Sequence, residues 1–173
     1  MAAGDVNGDG TTDVIAGQSK NGAKVVAISS KDFKTVLMKK TVSTTPIKGG
    51  VFVAAGNTDG GPREEVIVGL GAGAKSIVQV YEDGSNFDTK ATLLAKSTPV
   101  FGPTFPGGVR VAAVDLDGDG LAEVLTTAGS GLADYRLRVL GGLTLTALDA
   151  YFSQAGDFAE ARSVAVGRFG GPT

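Results

Sequence analysis

Cysteine and histidine are both absent from this sequence of 173 residues. Without cysteine the chain has no disulfide framework and no thiolate metal site, although secreted bacterial proteins without cysteine would look the same. Without histidine it lacks the commonest general base, the commonest zinc ligand and any serine–histidine triad. The most frequent catalytic and zinc-binding arrangements are therefore excluded.

A strong charge of one sign and long apolar runs are also lacking. The formal net charge is -2, and the Lys and Arg residues are scattered, so we expect no nucleic-acid partner. No apolar run reaches membrane-spanning length, and residues 1–5 have neither a charged nor an apolar region typical of a signal peptide. We expect no membrane insertion and no signal sequence in this chain.

Glycine, in contrast, is abundant. The 27 glycines, the 6 prolines and frequent Val, Thr and Ala favour many short strands joined by tight turns over helices. The length suits one domain or a short array of repeats. The composition therefore predicts an all-β fold.

Two acidic segments share one pattern: residues 5–13 (loop 1, DVNGDGTTD) and residues 115–123 (loop 3, DLDGDGLAE). Each places acidic or amide side chains at alternate positions of a short, glycine-containing loop. Such carboxylates would repel one another unless a cation lay among them, which is typical of calcium loops. The alternative is a solvated acidic turn without metal.

The strand-like segments before and after these loops recur along the chain in the same order. Residues 65–69 (EVIVG) match residues 13–17 (DVIAG), and residues 109–113 (VRVAA) match residues 51–55 (VFVAA). Asp5 and Asp115 are 110 residues apart over two units, which gives a period of 55 residues. Four short antiparallel strands per period, with the acidic loop between the first and second strands, predict a β-propeller blade. A β-solenoid is the alternative, but its coils are much shorter.

The predicted array has about three blades. Its parts are blade 1 at residues 1–49 without its first strand, blade 2 at 50–107, blade 3 at 108–162, and the first strand of a further blade at 163–173. The predicted strands are 14–17, 24–29, 34–42, 51–56, 65–69, 77–81, 90–96, 109–113, 124–127, 135–140, 144–152 and 163–167, with a turn at 82–85.

Residues 5–15 fit the motif D-x-[DN]-x-D-G-x-x-D followed by an aliphatic strand throughout. This motif resembles the FG-GAP or integrin-alpha-like repeats. These repeats are a VCBS-like type of calcium-binding β-propeller found in many bacterial surface proteins. The resemblance covers essentially the whole chain. It implies that calcium is held by the side chains at loop positions one, three, five and nine and by the carbonyl at position seven. The matching residues are Asp5, Asn7, Asp9, Thr11 and Asp13 in loop 1, and Asp115, Asp117, Asp119, Leu121 and Glu123 in loop 3.

Loop 2, residues 57–65, departs from this pattern. Asn57, Asp59 and Glu65 occupy positions one, three and nine, but Gly61 replaces the acid at position five and Arg63 lies nearby. We therefore expect no strong calcium site in loop 2. In loop 3 Glu123 replaces the usual Asp, and its extra methylene can change how the carboxylate binds an ion.

Two other motifs are considered and disfavoured. An EF-hand needs a bidentate Glu at position twelve, where these loops have Ala16 and Thr126 within strand-like sequence. Residues 69–76 (GLGAGAKS) nearly match a phosphate-binding loop, but Ala74 replaces the glycine before Lys75 and a strand-like segment follows in place of a helix.

The function that the resemblance implies is a non-catalytic calcium-binding module for protein or carbohydrate interaction, including cell adhesion, with calcium in a structural role. Extracellular sites bind calcium with Kd on the order of 10⁻⁴ to 10⁻³ M, which favours an extracellular or cell-surface location. The alternatives are the propeller part of a polysaccharide lyase-like, carbohydrate-active enzyme, and a structural spacer. Residues 135–138 alternate like an ordinary strand, so we expect no enzyme, although candidate side chains exist at Tyr81, Tyr135, Arg136, Arg138 and Tyr151.

The spare strand at residues 163–167 also predicts self-association. Propellers need roughly four to eight blades, and this chain supplies about three. A homodimer in which residues 163–167 of one copy add beside residues 14–17 of the other would make about six blades and pair both open edges.

Overall fold

The protein is described by a computed structural model that covers residues 1–84, 88–129 and 137–148. Within these ranges the chain is all-β, with no helix, which confirms the predicted class. The strands are β1 (Ala2–Gly4), β2 (Asp13–Gly17), β3 (Lys24–Ile28), β4 (Val36–Thr41), β5 (Val51–Gly56), β6 (Glu65–Leu70), β7 (Val78–Gly84), β8 (Asp88–Lys96), β9 (Val109–Val114), β10 (Glu123–Ala128) and β11 (Arg138–Leu140).

The strands form three antiparallel sheets, and each sheet adds its strands in chain order. Sheet I contains β1 to β4, sheet II contains β5 to β8, and sheet III contains β9 to β11 among the described residues. None of the sheets closes on itself. Loops 1, 2 and 3 each join the first strand of a sheet to the second, as the repeat predicted.

Sheet II lies between the other two sheets. All six residues of β6 are buried, because this strand packs against a neighbouring sheet on each face. Its continuous apolar run is what a strand covered on both faces requires. One apolar cluster fills the space between sheets I and II, and a second fills the space between sheets II and III. The first includes Ile15, Val25, Leu37, Met38, Val66 and Val68. The second includes Ile67, Val78, Val80, Val109, Val124 and Leu140.

Glycines allow neighbouring sheets to approach closely at one repeated position. A Cβ added to Gly17 of β2 would lie 2.7 Å from the carbonyl oxygen of Val51, and one added to Gly69 of β6 would lie 2.5 Å from that of Val109. Both distances are shorter than a real Cβ contact, so a side chain would push the sheets apart. The first strand of each following sheet therefore packs on the backbone of the preceding second strand.

Sheet I differs from the prediction at its first strand. The sequence analysis expected none there, but Ala2–Gly4 pairs antiparallel with Asp13, Val14 and Ile15 of β2. A strand of only three residues can pair here because loop 1 folds β1 back onto β2. The edge that the predicted homodimer offers to residues 163–167 is therefore already paired at Val14 and Ile15. Residues 163–167 lie outside the described ranges, so the dimer stays a prediction.

Two further elements differ from the sequence-based prediction. The predicted turn at 82–85 begins too early, because β7 continues to Gly84 and pairs with Asp88 of β8. The predicted strand at 144–152 is not a strand over residues 144–148, where the chain makes only an isolated bridge between Leu140 and Ala147. Residues 149–152 and the start of the strand predicted at 135–140 lie outside the described ranges.

Lys40 has a different role from the other lysines near β4. Lys34 and Lys39 are exposed at or just before the outer strand of sheet I, where charged side chains discourage pairing with other chains. Lys40 instead donates from Nζ to the carbonyl of Ala91 in sheet II at 2.7 Å, and it lies 5.5 Å from the centre of the Tyr81 ring. This lysine therefore joins sheet I to sheet II.

Candidate metal centre

Loop 1 folds around the carboxylate of Asp5. Its Oδ1 accepts hydrogen bonds from the backbone N–H groups of Gly8 (2.8 Å) and Asp9 (3.1 Å), and its Oδ2 accepts one from Gly10 (2.8 Å). Gly8 and Gly10 have φ of 74° and 80°, a left-handed conformation that favours glycine. The glycines at positions four and six are thus required by the backbone that surrounds Asp5.

Loop 3 has the same local structure. Asp115 accepts from the N–H groups of Gly118 (2.7 Å) and Gly120 (3.0 Å), and both glycines are left-handed. The carboxylates of Asp117 and Asp119 accept from the N–H groups two residues ahead. Loops 1 and 3 are therefore two copies of one backbone arrangement, as their shared pattern predicted.

The last acid of loop 1 has an unpaired oxygen. Asp13 is fully buried; its Oδ1 accepts a hydrogen bond from the N–H of Ser30 at 3.3 Å, but its Oδ2 is buried with no partner. Desolvation raises the pKa of Asp13, and the negative charges of Asp9 and Asp5 raise it further. Buried carboxylate oxygens are rarely left unpaired, so this atom fits a bound cation.

A lysine lies beside loop 1. The Nζ of Lys31 is 2.9 Å from Oδ2 of Asp9, and the side-chain amide of Asn7 donates to the same oxygen at 3.0 Å. The hydrogen bond from Lys31 holds the pKa of Asp9 below its usual range. An ammonium group from outside loop 1 therefore lies beside its acidic side chains.

Loop 3 brings three carboxylates together. One oxygen from each of Asp115, Asp117 and Glu123 lies within 4.8 Å of the others, and this is the only such acidic group found among the described residues. Glu123 is buried, and its Oε2 accepts a hydrogen bond from the N–H of Leu116 at 2.8 Å. Asp119 is exposed and stands outside the group. These three side chains can hold a metal ion.

Loop 2 satisfies its polar groups internally. Asn57 accepts from the N–H of Gly60 at 2.7 Å and donates from Nδ2 to the carbonyl of Gly61 at 2.8 Å. Glu65 accepts at Oε2 from both the N–H (2.6 Å) and the hydroxyl (2.8 Å) of Thr58. The side-chain amide of Asn57 and the hydroxyl of Thr58 thus donate to oxygen atoms of loop 2, where loops 1 and 3 are predicted to bind a cation.

Glu64 is a residue near loop 1 that sequence reasoning missed. Its Oε2 accepts from the N–H of Asp5 at 3.1 Å, and its own N–H donates to the carbonyl of Asp5 at 2.9 Å. Desolvation raises the pKa of Glu64, and the charge of Asp5 raises it further. The available signal was an extra acid at loop position eight, where loops 1 and 3 have Thr12 and Ala122.

The disfavoured motifs do not form their sites. Ala16 and Thr126, at position twelve of the two loops, lie in β2 and β10 in place of the helix of an EF-hand. After residues 69–76 the chain enters β7, so the described residues have no helix there to bind phosphate. In the described ranges there is also no helix with the length and apolar character needed to cross a bilayer.

Of the five side chains considered for catalysis, two lie in the described ranges. Tyr81 is buried, its hydroxyl donates to Oε1 of Gln79 at 3.0 Å, and burial raises its pKa to about 12. Arg138 lies in β11 and is partly buried. Tyr135, Arg136 and Tyr151 lie outside the described residues.

The sequence matches no protein-family model and no curated protein.

Proposed function

We propose that this chain is a non-catalytic, calcium-stabilised β-propeller module of the FG-GAP or integrin-alpha-like type. Calcium bound in loops 1 and 3 would hold the hairpin between the first and second strands of sheets I and III. The module would present its surface to a protein or glycan ligand outside the cell or at the cell surface, for example in adhesion.

The observation that carries the calcium proposal is the buried, unpaired Oδ2 of Asp13. This oxygen belongs to loop position nine, where the resemblance places a ligand. In loop 3 the same position is held by Glu123, whose carboxylate lies with those of Asp115 and Asp117. In loop 3 the acid at position nine thus lies in a group of three carboxylates, whereas in loop 1 it is buried with one unpaired oxygen and forms no such group with Asp5 and Asp9.

Calcium is the cation that this chemistry favours. Carboxylate and carbonyl oxygens are its usual ligands, whereas zinc and copper sites use the imidazole and thiolate groups that this sequence lacks. Loop 3 offers four acidic side chains, while loop 1 offers three and an amide beside Lys31. Because affinity rises with the charge of the ligands, we expect loop 3 to bind calcium more tightly than loop 1.

The arrangement of the sheets supports the propeller part of the proposal. Successive sheets pack face to face, and corresponding strands lie beside one another: β1 with β5, β5 with β9, and β4 with β8. Such packing of successive four-stranded or three-stranded sheets is what we would expect of consecutive propeller blades. No described feature favours a polysaccharide lyase-like enzyme or a structural spacer over this function.

The proposal is tested by calorimetric titration of the full chain with calcium. We expect two sites, with the tighter one lost in the double variant Asp117→Asn, Asp119→Asn, which keeps the side-chain acceptors but removes two charges. No binding at millimolar calcium would contradict the proposal. The predicted homodimer is tested separately, by measuring mass at several protein concentrations; a monomer at all of them would exclude it.

A further inference from the structure

Glu64 connects loop 1 to the neighbouring sheet. It leads into β6 of sheet II, yet both its N–H and its carboxylate bond the backbone of Asp5 in loop 1. Asp5 is the residue whose carboxylate accepts three backbone N–H groups and so shapes the loop. A contact that holds the backbone of Asp5 therefore also holds the first ligand position of the proposed site.

We propose that Glu64 is a positioning residue for cation binding in loop 1, and that through Glu64 this binding is coupled to the contact between sheets I and II. The inference rests on the proposed calcium site. Groups that hydrogen-bond a metal ligand from outside restrict its orientation and strengthen metal binding. Here the restriction comes from loop 2, which leads into a different sheet.

The repeat provides an internal comparison. Between loops 2 and 3, the N–H of Ala122 donates to the carbonyl of Asn57 at 2.6 Å, which is the same backbone bond one unit later. Ala122 has no carboxylate, and Asn57 belongs to the loop where we expect no strong calcium site. The second bond, from the side chain, therefore occurs at the junction where the bonded residue at loop position one is a proposed metal ligand.

The surroundings of Glu64 leave it little freedom. Gly4 precedes Asp5, and a Cβ at Gly4 would collide with both Oε2 of Glu64 and Cβ of Ala55. A Cβ at Gly8 of loop 1 would lie 3.2 Å from the carbonyl oxygen of Pro62. Loops 1 and 2 are thus packed together closely, so a change in the backbone of Asp5 is transmitted to residues 62–64.

The first test measures calcium affinity in the full chain with loop 3 weakened by Asp117→Asn and Asp119→Asn. In this background Glu64→Ala should weaken binding at loop 1 by about tenfold, because the side-chain hydrogen bond that holds the N–H of Asp5 is lost. Glu64→Gln keeps an oxygen that can accept from Asp5 and should restore most of the affinity. Unfolding in a calcium chelator, measured for each variant, separates effects on binding from effects on stability.

The outcomes distinguish this inference from the proposed function. If the parent binds no calcium at loop 1, both fail. If the parent binds calcium and Glu64→Ala binds it equally well, the inference alone is wrong. If Glu64→Gln loses as much affinity as Glu64→Ala, the charge and not the hydrogen bond is responsible, and the positioning role is excluded.

A second test uses the same background, with loop 3 weakened, because Ala122 belongs to loop 3 and would itself be protected by calcium bound there. In this background calcium should slow hydrogen exchange at the N–H of Glu64, which is bonded to loop 1, more than at the N–H of Ala122, which is bonded to loop 2. Equal protection of the two groups, or none, would overturn the coupling.

Discussion

The ammonium group of Lys31 lies 2.9 Å from Oδ2 of Asp9. A residue of the hairpin between β3 and β4 thus pairs with a predicted calcium ligand of loop 1. Because a bound calcium would have to displace this ammonium or lie near it, the lysine opposes calcium binding. We expect Lys31→Gln to raise the calcium affinity of loop 1 severalfold, as measured by calorimetric titration.

Lys34→Gln is the matched control for this prediction. Lys34 lies on the same hairpin, it is exposed, and its side chain forms no ion pair within the described residues. The control removes the same charge from the hairpin without removing the contact with Asp9. An equal effect of the two substitutions would show that general charge, and not the Lys31 contact, sets the affinity.

Asp9→Ala should weaken calcium binding at loop 1 by about tenfold or more and leave loop 3 unchanged, since it removes one charged ligand from one site. The two loops belong to sheets I and III, which are separated by sheet II. Titrations of this variant and of the wild type provide the measurement. Loss of both sites together would contradict the view that the repeats bind calcium independently.

Local patterns predicted much of the fold. The short apolar runs at residues 13–17, 51–56 and 65–70, rich in β-branched side chains, located the strands to within about one residue, because buried strands favour such runs. The glycine spacing predicted the backbone of loops 1 and 3. The strand at residues 2–4 was missed because three small residues carry no periodic signal, and their strand depends on pairing with β2.

The site was less completely predictable. Loop position indicated Asp5 and Asp13 as ligands, but Lys31 and Glu64 lie outside the loop 1 motif and reach it only through the fold. Their contacts depend on how a hairpin turns and how two sheets pack, and neither is encoded in local spacing. The grouping of Glu123 with Asp115 and Asp117, without Asp119, likewise depends on the path of the backbone.

Glu65 should make stability depend on pH. Desolvation raises its pKa in the folded protein above the ordinary 4.5. A raised pKa means that the folded state binds the proton more tightly than the unfolded state does. The stability that Glu65 contributes is therefore fully present below its unfolded pKa, and it is lost as the pH rises through its folded pKa. Glu65→Gln keeps an acceptor for Thr58 and removes this titration.

The measurement for Glu65 is the Tm of wild type and variant from about pH 4 to about pH 7 in a calcium chelator. The wild type should lose stability relative to Glu65→Gln as the pH rises over this range. A difference in Tm that does not change with pH would contradict the assignment of this titration to Glu65.

Gly69→Ala tests the close approach of sheets II and III. The added Cβ would lie 2.5 Å from the carbonyl oxygen of Val109, so the sheets must separate, at a cost of about 1–3 kcal/mol in the free energy of unfolding. The matching position in sheet III is Thr127, whose hydroxyl is buried without a partner. Thr127→Ala should cost less, and denaturant unfolding of both variants checks the order.

The central claim is that calcium stabilises the folded chain, and thermal unfolding with and without calcium at constant ionic strength tests it most directly. A ligand that binds only the folded state stabilises it by about 2.7 kcal/mol per site at a free concentration of one hundred times Kd, so saturating calcium should raise the Tm by several degrees. The increase should be smaller in Asp13→Asn, which lacks the buried charge of loop 1. An unchanged Tm of the wild type between saturating calcium and chelator would contradict the account.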